Sequence, residues 1–333
     1  MRAAYCIAPR SIEVRDVPAP TSSAADAVVR VHACGICGTD LHYYTGLTPP
    51  PTVCLGHEIV GRLESAAGGF ARGDAVVVEP LLSCGVCARC RAGEPNLCPT
   101  VRVLGSMAPG GLAELVCVPP RLLYPVPAAL DLDLAMLAEP LAVGVHAAHL
   151  AEIVAADDVL VLGAGAIGLL AASVALARGA RVTVSARHPH QAAAARALGA
   201  TVVGSARDEI IAHHAAAPPT TVLETVGSDA DTLDLALEVV RAGGRIVALG
   251  LFTRPVTLAP LRFLMKEVRI ASSMTYCRRR PRADFETALA MLASDPARFA
   301  PLVTHRVPLT EAARAFALAA DKTSGAIKVA VVP

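Results

Sequence analysis

The chain has no tryptophan, and aromatic residues make up only 3% of it. Its cores must therefore rest on Ala, Val, Leu and Ile, a palette that suits parallel sheets covered by helices on both faces. A charge imbalance is also missing. Thirty basic against 29 acidic residues leave a net charge of +1 with no basic stripe, so nucleic acid and anionic membrane are not expected partners. No uninterrupted apolar run has the roughly 18 or more residues of a membrane span. The nearest, residues 159–176, is broken by three glycines and reads as strand, turn and helix. The N-terminus lacks the apolar core and small-residue cleavage site of a signal peptide, which makes cytoplasm the expected compartment.

What is present suits a globular enzyme. Hydrophobic residues at 54% and charged residues at 18% exclude a disordered chain, and 333 residues suit two domains. Ten cysteines would suggest disulfides in a small secreted protein, but here four cluster at metal spacing. Cys84-x2-Cys87-x2-Cys90-x7-Cys98 offers four thiols for tetrahedral coordination of a soft divalent cation, and zinc needs no redox partner. A bacterial ferredoxin run places its fourth cysteine three residues on, not seven. Four thiols close a zinc site, leaving no open position, so its role is structural.

Residues 1–80 alternate short β-rich runs with turns and read as a distorted barrel, with residues 27–33 and 74–79 the clearest strands. Residues 112–127 resume strand character and 131–149 read as helical. From Asp158 apolar strands and helices alternate: strands at 159–162, 181–184, 201–203, 221–224 and 244–249, with helices between. That repetition predicts a doubly wound parallel sheet. Helices at 284–293 and 310–321 and a strand at 326–332 then leave room for the tail to return to the first domain.

Gly163-Ala164-Gly165-Ala166-Ile167-Gly168 follows the first of these strands and opens a helix, the context a dinucleotide turn needs. Gly163 permits the tight turn, Gly165 lets the backbone approach a pyrophosphate, and Gly168 lets helix and strand pack closely. The helix N-terminus offers free N–H groups to the phosphates. A binder of NAD normally carries an acid at the end of the second strand to hold the ribose 2′-hydroxyl. That strand here ends Val184-Ser185-Ala186-Arg187-His188. Arg187 can pair with a 2′-phosphate and Ser185 can donate a bond, which favours NADP, with NAD the alternative. The bland readings of Arg187 are a solvated surface residue or a stack on adenine.

Gly35-Ile36-Cys37-Gly38-Thr39-Asp40-Leu41-His42 and Gly56-His57-Glu58 pack thiols, imidazoles, carboxylates and a hydroxyl into a short stretch. Together with the four-cysteine run, Glu139-Pro140-Leu141-Ala142-Val143-Gly144, the Gly163 turn and Gly325-Ala326-Ile327-Lys328-Val329, they resemble the zinc-dependent medium-chain alcohol dehydrogenases, closest to the sorbitol and threonine dehydrogenase branch. The match runs nearly end to end. It implies an α/β chain in which a GroES-like β-rich catalytic domain (1–140, zinc lobe about 81–100) joins a Rossmann domain (141–277), with 278–333 returning to the first. It also implies two zincs per chain, the catalytic one bound by Cys37 and His57, with Glu58 and Glu139 supplying or flanking the remaining positions. Cys34 reads as a small buried residue and Asp40 as a carboxylate orienting His57. Thr39 matches the hydroxyl that takes the alcohol proton, and His42 the imidazole that passes it on. Tyr43 matches a residue lining the polyol pocket. Lys328 matches a basic position near the cofactor pyrophosphate, its bland reading being a solvated strand-end lysine.

Two departures matter. The loop after Gly61 is shortened, with Ala67 where a glycine is usual, and the acid expected near Ser185 is missing. The implied activity is hydride transfer between NAD(P) and a secondary alcohol, polyol or cyclitol-like substrate, or the corresponding ketone, in a homo-oligomer (dimer or tetramer). The rivals are a zinc-free quinone or enoyl reductase, which loss of Cys37 or His57 would have favoured, and a catalytically idle NADP(H)-binding protein that keeps the fold.

Overall fold

Alternating small and β-branched residues make Ala27–Gly35 the longest strand: Ala27, Val29 and Val31 are buried while Arg30 is exposed. The computed structural model describes residues 1–21, 23, 26–279 and 281–333. They divide into two units, Met1–Glu139 with Cys277–Pro333, and Pro140–Tyr276.

In the first unit Ala27–Gly35 is the hub. It pairs antiparallel with Glu58–Leu63 along most of its length, with Leu115–Val118 through residues 27–30, and with Lys328–Val332 at Cys34 and Gly35. A register shift between Val31 and Ala33 bends it, which lets one strand serve two partners in succession. Beyond these lie Ala75–Val78 and Leu123–Pro125 at one end and Val303–Pro308 at the other. The expected barrel is not closed: among the described residues the two end strands do not pair, and the seven strands form an open sheet. The tail thus contributes two strands, and Phe316 of the helix Ala312–Ala320 packs on Tyr44 with ring centroids 5.5 Å apart. The shortened loop after Gly61 closes as a tight turn, Ala67 and Phe70 exchanging backbone hydrogen bonds of 3.1 and 3.0 Å.

The second unit is the expected parallel sheet. Its order is Thr201–Val203, Arg181–Ser185, Asp158–Leu162, Thr221–Glu224, Arg245–Ala248, Arg269–Ser272, and every adjacent pair is parallel. The chain runs outward from Asp158–Leu162 in one direction and then returns to its other side. Right-handed crossovers place the connecting helices on opposite faces in the two halves, and the reversal lies beside Asp158–Leu162. The helix read over 131–149 is in fact two, Leu132–Ala135 and Ala138–Leu150, with Met136 and Leu137 forming the bend between them. Among the described residues no helix is long and apolar enough to cross a membrane.

Candidate active site and cofactor turn

Asp40 shapes the segment that carries most of the candidate groups. Its Oδ2 accepts the backbone N–H of Cys37 at 2.9 Å, capping the helix Gly38–Thr45 from within its own first turn. A carboxylate there also meets the positive end of the helix dipole. Gly46, at φ 80°, ends the helix after two turns. Cys37 is thereby fixed at the N-cap, with Thr39 and His42, both half-buried, on the helix that follows. Tyr43 is half-buried and packs against the apolar core of this unit. Burial lowers the His42 pKa from its ordinary value.

His57 enters from the strand side, just before Glu58–Leu63, and is 6% exposed. Burial alone would lower its pKa, but the nearby Cys37 and Asp40, with a contribution from Glu139, hold it well above the usual value. Asp40 Oδ1 stands 3.9 Å from His57 Nδ1, within ion-pair range and beyond a hydrogen bond. Burial raises the Asp40 pKa despite the neighbouring imidazole. Cys34 is fully buried in the apolar core, and burial pushes its thiol well above the ordinary range. It packs, as expected, and Cys37 is the thiol that faces the imidazole.

Glu58 is fully buried, and its Oε1 lies 2.5 Å from Nζ of Lys328, which also donates to the Ile36 carbonyl at 3.0 Å. Gly35 lies opposite Glu58 in the strand pairing, and a Cβ there would fall 1.9 Å from Glu58 Oε2. A glycine is therefore required for the carboxylate to lie against the neighbouring strand. Lys328 is 3% exposed and is not a solvated strand-end lysine. Burial opposes its charge, and Glu58 and Cys37 more than offset this, leaving its pKa raised.

The donor set fits a cation. His57 Nδ1, Asp40 Oδ1 and Glu58 Oε2 are buried without hydrogen-bond partners, and buried polar atoms are rarely left so. A thiol, an imidazole and carboxylates around them are the ligands zinc takes. Yet among the described residues Cys37, His57 and a glutamate do not bring three ligand atoms within 4.8 Å of one another. The physical reason at Glu58 is its pairing with Lys328.

The four-cysteine lobe is more tightly assembled. The ligand atoms of Cys84, Cys87, Cys90 and Cys98 all lie within 4.8 Å of one another, and no disulfide joins them. Cys84 and Cys90 sulfurs are 3.9 Å apart, against about 3.8 Å for the edge of a tetrahedron with the usual zinc–sulfur bond length. Backbone N–H groups of Cys84, Cys87 and Cys90 point at neighbouring sulfurs at 3.3–3.5 Å. The Cys84 N–H and the Thr100 hydroxyl push the Cys98 thiol down to about 6, favouring the thiolate that binds metal. The lobe is fastened by Glu94, which accepts from Arg89 at 2.8 Å and from Arg279 at 2.9 Å, and by the Arg278 N–H on the Gly93 carbonyl.

In the second unit the glycine turn has a steric basis. Gly163 sits at φ 100°, in the left-handed region. A Cβ on Gly168 would fall 2.0 Å from the Gly163 carbonyl oxygen, whereas a Cβ on Gly165 would meet nothing within 4 Å. Gly165 is the N-cap of Ala166–Ala177, so the first N–H groups of that helix have no partner within it. Ser185 is buried and its hydroxyl accepts the Gly163 N–H at 3.1 Å, tying the second strand to the turn. Arg187 is exposed just beyond it. Sequence reasoning missed the Lys328–Glu58 pair, which spans 270 residues and leaves no local signal.

Residues 23–128 match the alcohol dehydrogenase GroES-like domain family, and residues 166–294 the zinc-binding dehydrogenase family. A sorbitol dehydrogenase of Bacillus subtilis is 32% identical over 75% of this chain and 75% of its own. A putative zinc-binding dehydrogenase from Sinorhizobium meliloti bound to NADP is 32% identical, with a TM-score of 0.87 over 100% of this chain and 99% of that one. A short chain alcohol dehydrogenase from Escherichia coli CFT073 complexed with NADH is 28% identical, with a TM-score of 0.89 over 100% and 99%. Similarity of this extent, reaching into the zinc-binding and nucleotide-binding segments alike, places the chain within the zinc-type medium-chain alcohol dehydrogenases.

Proposed function

We propose that this zinc-dependent, NAD(P)-linked dehydrogenase acts on a secondary alcohol, a polyol or a cyclitol-like substrate, or the corresponding ketone. The observation carrying the reading is the buried His57, with the Asp40 carboxylate beside it and Nδ1 left without a hydrogen-bond partner. Cys37 and His57 are assigned as ligands of a catalytic zinc, with Glu58 or Glu139 completing the set; when bound, the metal supplies Lewis-acid polarisation of the substrate oxygen. Thr39 takes the alcohol proton and His42, kept neutral by burial, passes it outward. Asp40 holds the Cys37 N-cap and orients the imidazole. Tyr43 borders the substrate. Lys328 is assigned to Glu58 in place of the cofactor pyrophosphate, because its ammonium is already spent on that carboxylate and a carbonyl.

Gly163, Gly165, Ala166, Ile167 and Gly168 receive the pyrophosphate, and exposed Arg187 receives a 2′-phosphate, so NADP is the favoured cofactor. The Cys84, Cys87, Cys90 and Cys98 lobe holds a second, structural zinc. The chain is assigned to a homo-oligomer in the cytoplasm. The edge strand Arg269–Ser272 and the exposed Leu261, Leu264 and Met265 of the helix Pro260–Lys266 supply a face suited to a second copy. The test pairs elemental analysis with a panel of polyols and secondary alcohols assayed with NAD and NADP. Two zincs per chain and turnover of a secondary alcohol are expected; a single zinc, lost with the thiol lobe, overturns the catalytic assignment.

A further inference from the structure

Glu224 has no part in the site described so far, yet its buried side chain gathers three hydrogen-bond donors. It ends the strand Thr221–Glu224, level with Leu162 on one side and Ala248 on the other, and is fully buried. Its Oε1 accepts three hydrogen bonds: from the N–H of Val226 at 2.7 Å, the N–H of Gly227 at 3.0 Å and the hydroxyl of Thr232 at 2.8 Å. Its backbone carbonyl accepts the N–H groups of Leu249 and Gly250 at 2.8 and 3.1 Å. One residue therefore holds the loops that follow two adjacent strands.

Those loops are also tied to each other. Ser228 donates to the Leu251 carbonyl at 2.7 Å, and Thr253 donates back to Ser228 at 3.0 Å. Ser228 sits at φ 61°, a conformation a side-chain-bearing residue adopts only when its surroundings impose it. Packing is equally close. A Cβ on Gly250 would fall 2.3 Å from the Gly227 nitrogen and 2.5 Å from Glu224 Oε2. The neighbouring Thr225 hydroxyl donates to the carbonyls of Leu162 and Gly163 at 2.7 and 3.2 Å, so this clasp is continuous with the glycine turn.

In a sheet that reverses its strand order, a dinucleotide lies across the reversal with one mononucleotide half on each side. The adenosine half belongs with the Arg181–Ser185 side, where Ser185 and Arg187 sit. The other half then falls on the side of Thr221–Glu224 and Arg245–Ala248, over the two loops that Glu224 clasps. We infer that Glu224 is a positioning residue for the nicotinamide half of the cofactor. It touches no ligand, and it sets the shape of the two loops on which the nicotinamide riboside rests. The inference depends on the cofactor-binding reading of the Gly163 turn.

The test is Glu224→Gln, which keeps the size and turns the three charge-assisted hydrogen bonds to Oε1 into weaker neutral ones, with Thr232→Val as a milder variant that deletes one donor only. NADPH and NADH, followed by nicotinamide fluorescence, and adenosine diphosphate, which lacks the nicotinamide riboside, are titrated into each protein with its metal in place. The dissociation constant for the reduced dinucleotides is expected to rise about tenfold in Glu224→Gln, the loss of roughly one strong hydrogen bond's worth of order, and less in Thr232→Val. Adenosine diphosphate is expected to bind within about twofold of the unmutated protein, and the bound nicotinamide emission to shift. A parallel loss for both ligands shows a merely structural role and overturns the inference, as does unchanged dinucleotide binding in both variants. Failure of the unmutated chain to bind any of the three would instead overturn the cofactor reading itself.

Discussion

Replacing Lys328 by Met tests the best-defined electrostatic feature of the β-rich unit. The ammonium is 3% exposed and the Glu58 carboxylate 0%, with 2.5 Å between Nζ and Oε1. Desolvating two charges is costly, and their attraction repays it only while both are present. In the metal-free protein, deleting the lysine strands a carboxylate that has no route to water, and the Ile36 carbonyl loses its donor as well. Breaking such a pair from one side costs about 3–5 kcal/mol. Removing both charges, in Lys328→Met with Glu58→Gln, leaves no orphan and is expected to recover most of that loss. The chain has no Trp, so far-UV circular dichroism in a urea titration is the assay. The four proteins of the cycle then yield a coupling energy. A single mutant within about 1 kcal/mol of the unmutated protein, in the range of an exposed pair, would refute the reasoning. So would a double mutant as unstable as the single one.

Cys90→Ser should lower the zinc content by one ion per chain and expose the lobe to proteolysis while the circular dichroism of the parallel sheet is kept; elemental analysis and limited digestion read both. Gly168→Ala forces a Cβ to within 2.0 Å of the Gly163 carbonyl oxygen, and overpacking of this kind costs about 1–3 kcal/mol, so dinucleotide titration should show the turn disabled. Arg187→Asp should reverse the preference for NADP, read as the ratio of kcat/KM values for the two cofactors; an unmutated protein that already prefers NAD contradicts the assignment. Asp157→Asn tests a pH effect. Burial raises the pKa of Asp157, but the Thr220 hydroxyl at 2.6 Å, the Val154 N–H and Arg245 outweigh it, and the folded value is lowered. A lowered carboxylate contributes stability above its unfolded pKa of about 3.9 and loses it as pH falls through the folded value. The stability gap between the unmutated protein and the Asp157→Asn variant, about 1–3 kcal/mol near neutrality, should therefore close below about pH 4 in denaturation curves.

Much of this molecule is written locally. The four-cysteine lobe follows from spacing, because ligands two residues apart can reach one ion only if the backbone turns between them. The parallel sheet follows from apolar strands alternating with helices, and the glycine turn from three positions where a side chain would collide or block. Cys37 and Cys34 were separable through the family resemblance, which places the ligand at Cys37; the structure sets one at a helix N-cap and the other in a core strand.

Other features had no local signature. In the first unit Ala27–Gly35 pairs with two strands in turn on one edge and shifts register on the other, and both depend on partners distant in the chain. Glu58 reads in sequence as supplying or flanking a zinc position and is turned to Lys328, 270 residues away, in the fold. Glu224 reads as the end of a strand, and only its neighbours across two loops make it a clasp. Sequence by itself therefore determined which chemistry the chain carries, because ligand type, spacing and periodicity are properties of near neighbours. Tertiary structure alone decided which charges meet, because a buried charge is stable only beside whatever partner the completed fold brings to it.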